Sequence, residues 1–486
     1  MAKDSVKDSG AIDKKESRRV FLLEGNLWNV IFITAFPQVV SMIVDSIFNI
    51  GDTFFVSRIG DAAISAVSIN DSLMMIMRSV SIGFAMGASS FISRSLGAKR
   101  DEVASKAATT TIILAMGFMT VFAVTLSFFL EPLVVFLGAT ESVKQYAMDY
   151  ARWILPAAPI TAATVCLSQT LRAEGNTTHA MIGTVSGNII DLALNPLFIF
   201  KFGWGVAGAA SSTTLAKFIT MIILAQPYIK DRCLIKLRLS NFAPTKSLLA
   251  ELARMGIPTM ARSSMMSAAT IIMNNTAASF GDTALAAVAI GNKSMRLVGS
   301  ALMGFGQGFQ PIAGFCWGAK RYDRVLRAFS YTLIIGAVVG GALSALLIVF
   351  ARHVIMIFTS DPAIIEIGLI FIITQSAVML PHAWSMVIVG LFQALGFPIR
   401  AAVLGLSRQL LVYIPSILLL SYFFGLKGLA CAQATSDVVS FILAACFLLP
   451  AIKQLRALSR QETDAVVNLE EVALDEEAFE VSFDDD

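Results

Sequence analysis

Charge is scarce in this chain. Asp, Glu, Lys and Arg together make up 15% of its residues, against about 25% in an ordinary soluble domain. The five cysteines (Cys166, Cys233, Cys316, Cys431 and Cys446) are scattered, with no CxxC or His/Cys cluster. That spacing offers neither a disulfide framework nor a metal centre. HExxH, P-loop and GxSxG motifs are missing, so the enzyme classes they mark find no support and a non-enzyme is expected. No ring or filter run of a selective channel occurs either. Residues 1–24 are polar and lack the short apolar core of a cleaved signal peptide. The net charge of +3 gives no sign of a nucleic-acid partner.

Apolar residues are abundant. They make up 56% of the chain, and the mean hydropathy is +0.73. Runs at about 27–54, 62–93, 107–132, 146–170, 177–200, 206–228, 249–279, 284–315, 327–351, 363–392, 398–422 and 426–451 give twelve candidate spans. Each reaches roughly the 20 residues a membrane helix needs, and none shows the short alternating pattern of a β-barrel strand. With the N-terminus in the cytoplasm, the inner connections hold 24 Lys and Arg and the outer ones five. That asymmetry puts both termini on the cytoplasmic side. The expectation is a multi-pass protein of the inner (cytoplasmic) membrane, monomeric, with the lipid bilayer as its surroundings.

The chain also repeats itself at an offset of 221 residues. GAKR recurs at Gly97 and Gly318, GD at Gly60 and Gly281, and proline at Pro37 and Pro258; Gly83/Gly304, Gly87/Gly308 and Gly175/Gly396 keep the same spacing. GVAGAA at Gly205 and GLKGLA at Gly425 differ by 220. Six spans per repeat is an even number, so both halves enter from the same side. Such parallel repeats are a transporter architecture with its site between the halves. The fold class is therefore an all-α membrane protein, twelve transmembrane helices in two pseudo-symmetric six-helix bundles. The expected divisions are a tail 1–24, a first lobe 25–228, a linker 229–247, a second lobe 248–452 and an acidic tail 453–486. GFAMG at Gly83 and GFGQG at Gly304 have the small-xxx-small spacing of close helix contacts. Pro37 and Pro258 each remove a backbone donor from the first helix of their repeat and mark hinge candidates.

In order along the chain come FPQVVSMIVDSIFNIGDTFFVSRIG, GASSFISRSLGAKR, LRAEGN, NPLFIF and GFGQGFQPIAGFCWGAK. With twelve spans and a six-plus-six repeat, these segments resemble the multidrug and toxic compound extrusion (MATE) family, in its bacterial DinF-like and MepA-like branch. The likeness runs from about residue 25 to 450. It implies secondary active efflux of lipophilic organic cations, with H⁺ or Na⁺ as the coupling ion and no other cofactor.

A charge at mid-bilayer costs about 2.5–3.5 kcal/mol on insertion scales, so acids inside spans mark function. Asp52 lies late in the first span, where the family's principal coupling aspartate falls. Asp191 lies in the fifth, in GNIIDLALNP, with Asn195 before Pro196. The family often has Asn first and Asp before Pro, so the two types are exchanged here. Residues four apart share a helix face, so the carboxylate and the amide stay in one patch. Thr213, Thr214 and Gln169 can complete the cluster, and Lys217 can either pair with a carboxylate or snorkel. Two carboxylates in one low-dielectric site do not both ionise cheaply, which makes a proton carrier; a Na⁺ between Asp52, Asp191 and Asn195 is the alternative. The second half carries Met273 where the first has Asp52, so coupling is assigned to the first lobe. Pro37, Phe48, Asn188, Gln169, Gln310 and His382 are the cavity and hinge candidates. The 21 Met and 34 Phe suit a pliant wall for varied lipophilic cations. Arg78, Arg262, Lys293 and Arg296 could instead cradle the pyrophosphate of a lipid-linked precursor, as in a flippase of the same superfamily. An ion channel or passive pore is the rival from another class.

Overall fold

The computed structural model describes residues 16–481. Among them every regular element is helical, as lipid requires of long apolar runs whose backbone groups find no water to bond. A short helix α1 (residues 16–24) leads into α2 (Leu27–Ser57), α3 (Asp61–Gly97) and α4 (Asp101–Phe128). Then come α5 (Leu130–Phe136), α6 (Glu141–Ile154), α7 (Ala158–Ala173), α8 (Thr177–Pro196) and α9 (Gly205–Ile229). The second half runs through α10 (Lys246–Ala278), α11 (Asp282–Gly318), α12 (Tyr322–Met356), α13 (Pro362–Ala377), α14 (Met379–Leu395), α15 (Pro398–Leu406) and α16 (Ile414–Val481).

Twelve crossings follow from these elements. The fourth and tenth spans are bent pairs, α6 with α7 at 51° and α13 with α14 at 49°. The eleventh and twelfth are separated inside α16 at Gly425, where φ is 59°. Only a residue without Cβ adopts that angle at little cost. Helices α10 and α11 are long enough to span but too polar to qualify on composition alone. They form much of the surface where the two halves meet. Past the last span, α16 continues to Val481, so the acidic segment up to that residue is helical.

The two halves interlock through glycines related by the repeat. A Cβ on Gly87 would lie 2.6 Å from the Leu252 carbonyl oxygen of α10, and one on Gly304 would lie 2.7 Å from the Val39 Cα of α2. Gly97 abuts the Phe315 carbonyl, and its counterpart Gly318 abuts that of Arg94. Arg94 also reaches across to Glu251 at 2.6 Å. This seam lies at the end of the molecule where α1 enters the first span and where α16 leaves the last. There Arg324 donates to the Leu22 carbonyl at 3.1 Å, and the Tyr322 amide donates to Glu462 at 3.1 Å. Toward the opposite end the cross-contacts thin to Ser46–Ser300 at 2.9 Å and the Ser267 hydroxyl on Met75 sulfur at 3.1 Å.

The linker between the halves is strapped to the first. Leu234 N–H donates to Glu174 at 2.8 Å, Lys236 N–H to Ser105 Oγ at 3.0 Å and Ala243 N–H to Thr110 Oγ1 at 3.0 Å. Glu174 sits in the turn between α7 and α8, outside the spans, with no exposed surface. Burial pushes its carboxyl up to about 7, against the opposing pull of Arg18 and of the Leu234 and Ile235 amides. The shift is upward from 4.5, so its stabilising contribution is full below pH 4.5 and is lost as pH rises through 7. Glu174→Gln keeps an acceptor for Leu234 and removes the titration. Thermal unfolding of the purified protein should lose stability on the order of 3 kcal/mol between those pH limits, and the Gln variant should flatten that limb. Parallel pH profiles for the two proteins would refute the assignment.

Candidate functional site

Helices α2 and α8 run parallel in one register. Thr184 Oγ1 meets Ser41 Oγ at 3.3 Å, Asn188 Nδ2 donates to Asp45 Oδ1 at 3.1 Å, and Asn195 Nδ2 donates to Asp52 Oδ1 at 3.1 Å. Asp45 and Asp52 are seven residues apart, two turns on the same helix face. The result is a ladder of carboxylate–amide rungs between the first and fifth spans.

The upper rung continues into α9. Ser212 Oγ lies 2.7 Å from Asn195 Oδ1, 3.1 Å from Asp191 Oδ1 and 2.8 Å from the Ala209 carbonyl. Thr213 Oγ1 lies 3.3 Å from Asp191 Oδ1 and 3.1 Å from the same carbonyl. Asp191, Asn195, Ser212 and Thr213 are all buried, and Asp52 is half-buried. The four residues singled out from sequence, Asp52, Asp191, Asn195 and Thr213, thus fall in one connected cluster. Ser212 joins them; its only sequence signal was its place beside Thr213. Thr214 turns away to the Trp153 carbonyl at 3.1 Å. Lys217 lies within electrostatic range of both Asp45 and Asp191, and Asp71 within range of Asp52.

The cluster is short of protons. Each hydroxyl carries one, so Ser212 and Thr213 supply two for the three contacts among side-chain oxygens above, Ser212–Asn195, Ser212–Asp191 and Thr213–Asp191. If Ser212 serves Asn195 and Thr213 serves Asp191, the Asp191–Ser212 contact has no hydrogen. Turning the Asn195 amide over, a choice of assignment for any amide, moves the deficit to the Asp52–Asn195 contact. One more H⁺, or one hard cation among these oxygens, completes the network. Among the described residues no group of three or more His, Cys, Asp or Glu is placed to hold a metal; the oxygens here come mainly from amide and hydroxyl groups.

The remaining candidates are dispersed. Asn188 belongs to the lower rung, where Arg78 also bonds Asp45 at 2.9 Å. Asp45 is a site residue that the sequence reading does not single out. Phe48 is half-buried on α2 between the two acids. Pro37 lies inside α2, its carbonyl taken by Ser41 Oγ at 2.9 Å. Gln169 contacts Met86 sulfur at 2.7 Å and accepts from Arg172 at 3.1 Å, and Arg172 reaches Gln307 of the other half at 2.9 Å. Gln310 donates to Gln393 at 2.9 Å. His382 faces Asp437 at 3.2 Å, and Arg408 bonds the same oxygen at 2.7 Å. Met273, opposite Asp52 in the repeat, is buried.

The MatE family profile matches residues 37–197 and again 258–417, beginning at each repeat's proline. The chain belongs to the MatE family. The multidrug export protein MepA of Staphylococcus aureus (strain NCTC 8325 / PS 47) is 24% identical over 420 residues, covering 85% of this chain and 92% of that protein. The fold matches a multidrug resistance MATE transporter of the MOP superfamily solved in its outward-facing conformation. There the TM-score is 0.85 at 24% identity, over 91% of this chain and 98% of that one. A MATE in complex with MaL6 gives the same TM-score and identity, over 91% and 99%. In this MatE protein, as the repeat implied, the fold is the twelve-helix one.

Proposed function

We propose that this chain is a secondary active multidrug exporter of the cell membrane, exchanging lipophilic organic cations for H⁺ by alternating access. The observation that carries this reading is the proton deficit of the Asp52–Asn195–Ser212–Asp191–Thr213 cluster. A network one positive charge short takes up and releases that charge as its surroundings change. Bare, the cluster holds two carboxylates in a buried site; filled, it is fully hydrogen-bonded. Ion and cargo then need only exclude one another for their movements to be coupled. The end of the molecule away from the glycine seam, where cross-contacts between the halves thin, supplies the release path. Na⁺ at Asp52, Asp191 and Asn195 is the second reading, supported by the all-oxygen character that the cluster has once Asn195 is turned over.

Ethidium efflux from proteoliposomes under an imposed ΔpH or an imposed ΔNa⁺ separates these. Efflux under ΔpH alone is the expected outcome. Efflux under ΔNa⁺ alone favours the sodium reading, and efflux under neither overturns the exporter.

A further inference from the structure

The turn between α7 and α8 holds a carboxylate that ion coupling does not use. Glu174 caps the end of α7 and has no exposed surface. Its Oε2 accepts the Leu234 amide of the linker at 2.8 Å. Its Oε1 is buried without a hydrogen-bond partner among the described residues, and so is the Tyr228 hydroxyl of α9 beside it.

Few charged or titratable groups face this carboxyl. Arg18 of α1 lies within electrostatic range but makes no ion pair with it among the described residues. Cys233 of the linker lies beside Tyr228. Arg172, two residues back on α7, is turned to Gln169 and Gln307. An ionised Glu174 is therefore a buried charge with one fixed amide donor, which is costly. A neutral carboxyl fits the same space, and its O–H can donate to the Tyr228 oxygen.

Glu174 is also the first of three points that hold the linker down. The other two acceptors, Ser105 Oγ for Lys236 and Thr110 Oγ1 for Ala243, are hydroxyls that do not titrate. Helix α10 begins directly afterwards, at Lys246. A change of charge at Glu174 thus acts on the chain that leads into the second lobe.

We propose that Glu174 is a proton-operated latch on the inter-lobe linker, fastened while its carboxyl is neutral and released when it ionises. Release admits water to the carboxylate and returns it to its ordinary acidity. The fastened carboxyl stands at about 7 and the ordinary one at 4.5, so rising pH favours release. From pH 6 to pH 8 the fastened-to-released ratio should fall about tenfold. With this end in the cytoplasm, as the Lys and Arg bias of the connections supports, the linker tightens as the cytoplasm acidifies. In an exporter fed by inward H⁺ that tightening restrains further proton entry; this consequence alone rests on the exporter reading.

Amide hydrogen exchange of the purified protein in neutral detergent follows the latch with no gradient and no cargo. Protection factors divide out the intrinsic pH dependence of exchange. A failure here leaves the exporter standing, and a protein without efflux leaves the latch standing. In wild type, protection across residues 233–243 should fall about tenfold between pH 6 and pH 8, with the first turn of α10 following and α12 unchanged. Glu174→Gln should hold one level at both pH values. Arg18→Gln removes the facing positive charge from outside the strap, so it should deepen the fall; it also reports on Glu174 should the first variant misfold. A wild-type linker equally protected at pH 6 and pH 8 overturns the proposal. Equal falls in wild type and Glu174→Gln, an unaltered fall in Arg18→Gln, or a fall shared by α12 do the same.

Discussion

Asp52→Asn is expected to cut gradient-driven efflux by about 100-fold, near the top of the roughly 5–150-fold span of ordinary coupling energies. The substitution keeps the size and one acceptor of the side chain, so the Asn195 contact at 3.1 Å survives. The carboxylate that changes charge state is what disappears. Asp45→Asn is the informative control. It sits two turns away on the same helix face and loses the charge that pairs with Arg78 while keeping an acceptor for Asn188, and it has no contact with Ser212 or Thr213. Its side chain is 31% exposed and that of Arg78 57%, and ion pairs so open to solvent contribute only about 0–1 kcal/mol. The expected pattern is a folded, cargo-binding Asp52→Asn protein that no longer couples, beside an Asp45→Asn protein that does. Proton uptake on cargo release, followed with a pH dye in weakly buffered detergent, reads the difference directly. Undiminished uptake in Asp52→Asn would remove that residue from the coupling site.

Gly304→Val should shift the molecule away from the arrangement in which the seam is closed. The new Cβ would meet the Val39 Cα and backbone nitrogen at 2.7 Å. These are backbone atoms that cannot rotate aside. Overpacking of this kind costs about 1–3 kcal/mol, which is about a 5–150-fold change in the ratio of two states. The strain falls on the closed seam and vanishes once the lobes separate there. Spin labels at Ala98 and Ala319, the equivalent helix-end positions of the repeat, report the seam directly once the exposed Cys446 is replaced. A longer and broader distance distribution in Gly304→Val is the expected result. Gly336→Val in α12 is the comparison, since a Cβ there meets nothing within 4 Å, and it should leave the distribution unchanged. Identical distributions in all three proteins would mean the seam does not move.

Much of this arrangement was legible before any coordinates. Twelve runs and the 221-residue offset contain the crossings and the pairing of Gly87 with Gly308 and of Gly97 with Gly318, because hydropathy and repetition are local properties of the string. The Asp191/Asn195 exchange could be placed on one face because helix geometry fixes four-residue neighbours. Other features depended on distance in the chain. Nothing near Asp45 announces that Asn188 lies opposite it; the clue was a second pair at the same 143-residue separation as Asp52 and Asn195, visible only once one pair is known. Asp437 and Arg408 sit on different spans, and Arg408 is presented by a π-helical turn, Ser407–Tyr413. Such turns shift a helix face by part of a residue step and escape a regular periodicity. His382, a cavity and hinge candidate in the sequence, is committed to that pair, as a satisfied structural histidine.

The straps on the linker have a mechanical corollary. With Leu234, Lys236 and Ala243 fastened to the first lobe, little slack chain is left before Thr245 caps α10. The connection works as a short pivot at the root of α10, so a severed peptide bond at Pro244 would free the second bundle from its leash while leaving the strap in place. Cohesion of the two bundles would then rest on noncovalent contacts alone, chiefly the glycine faces and polar bridges such as Arg94–Glu251 and Arg172–Gln307.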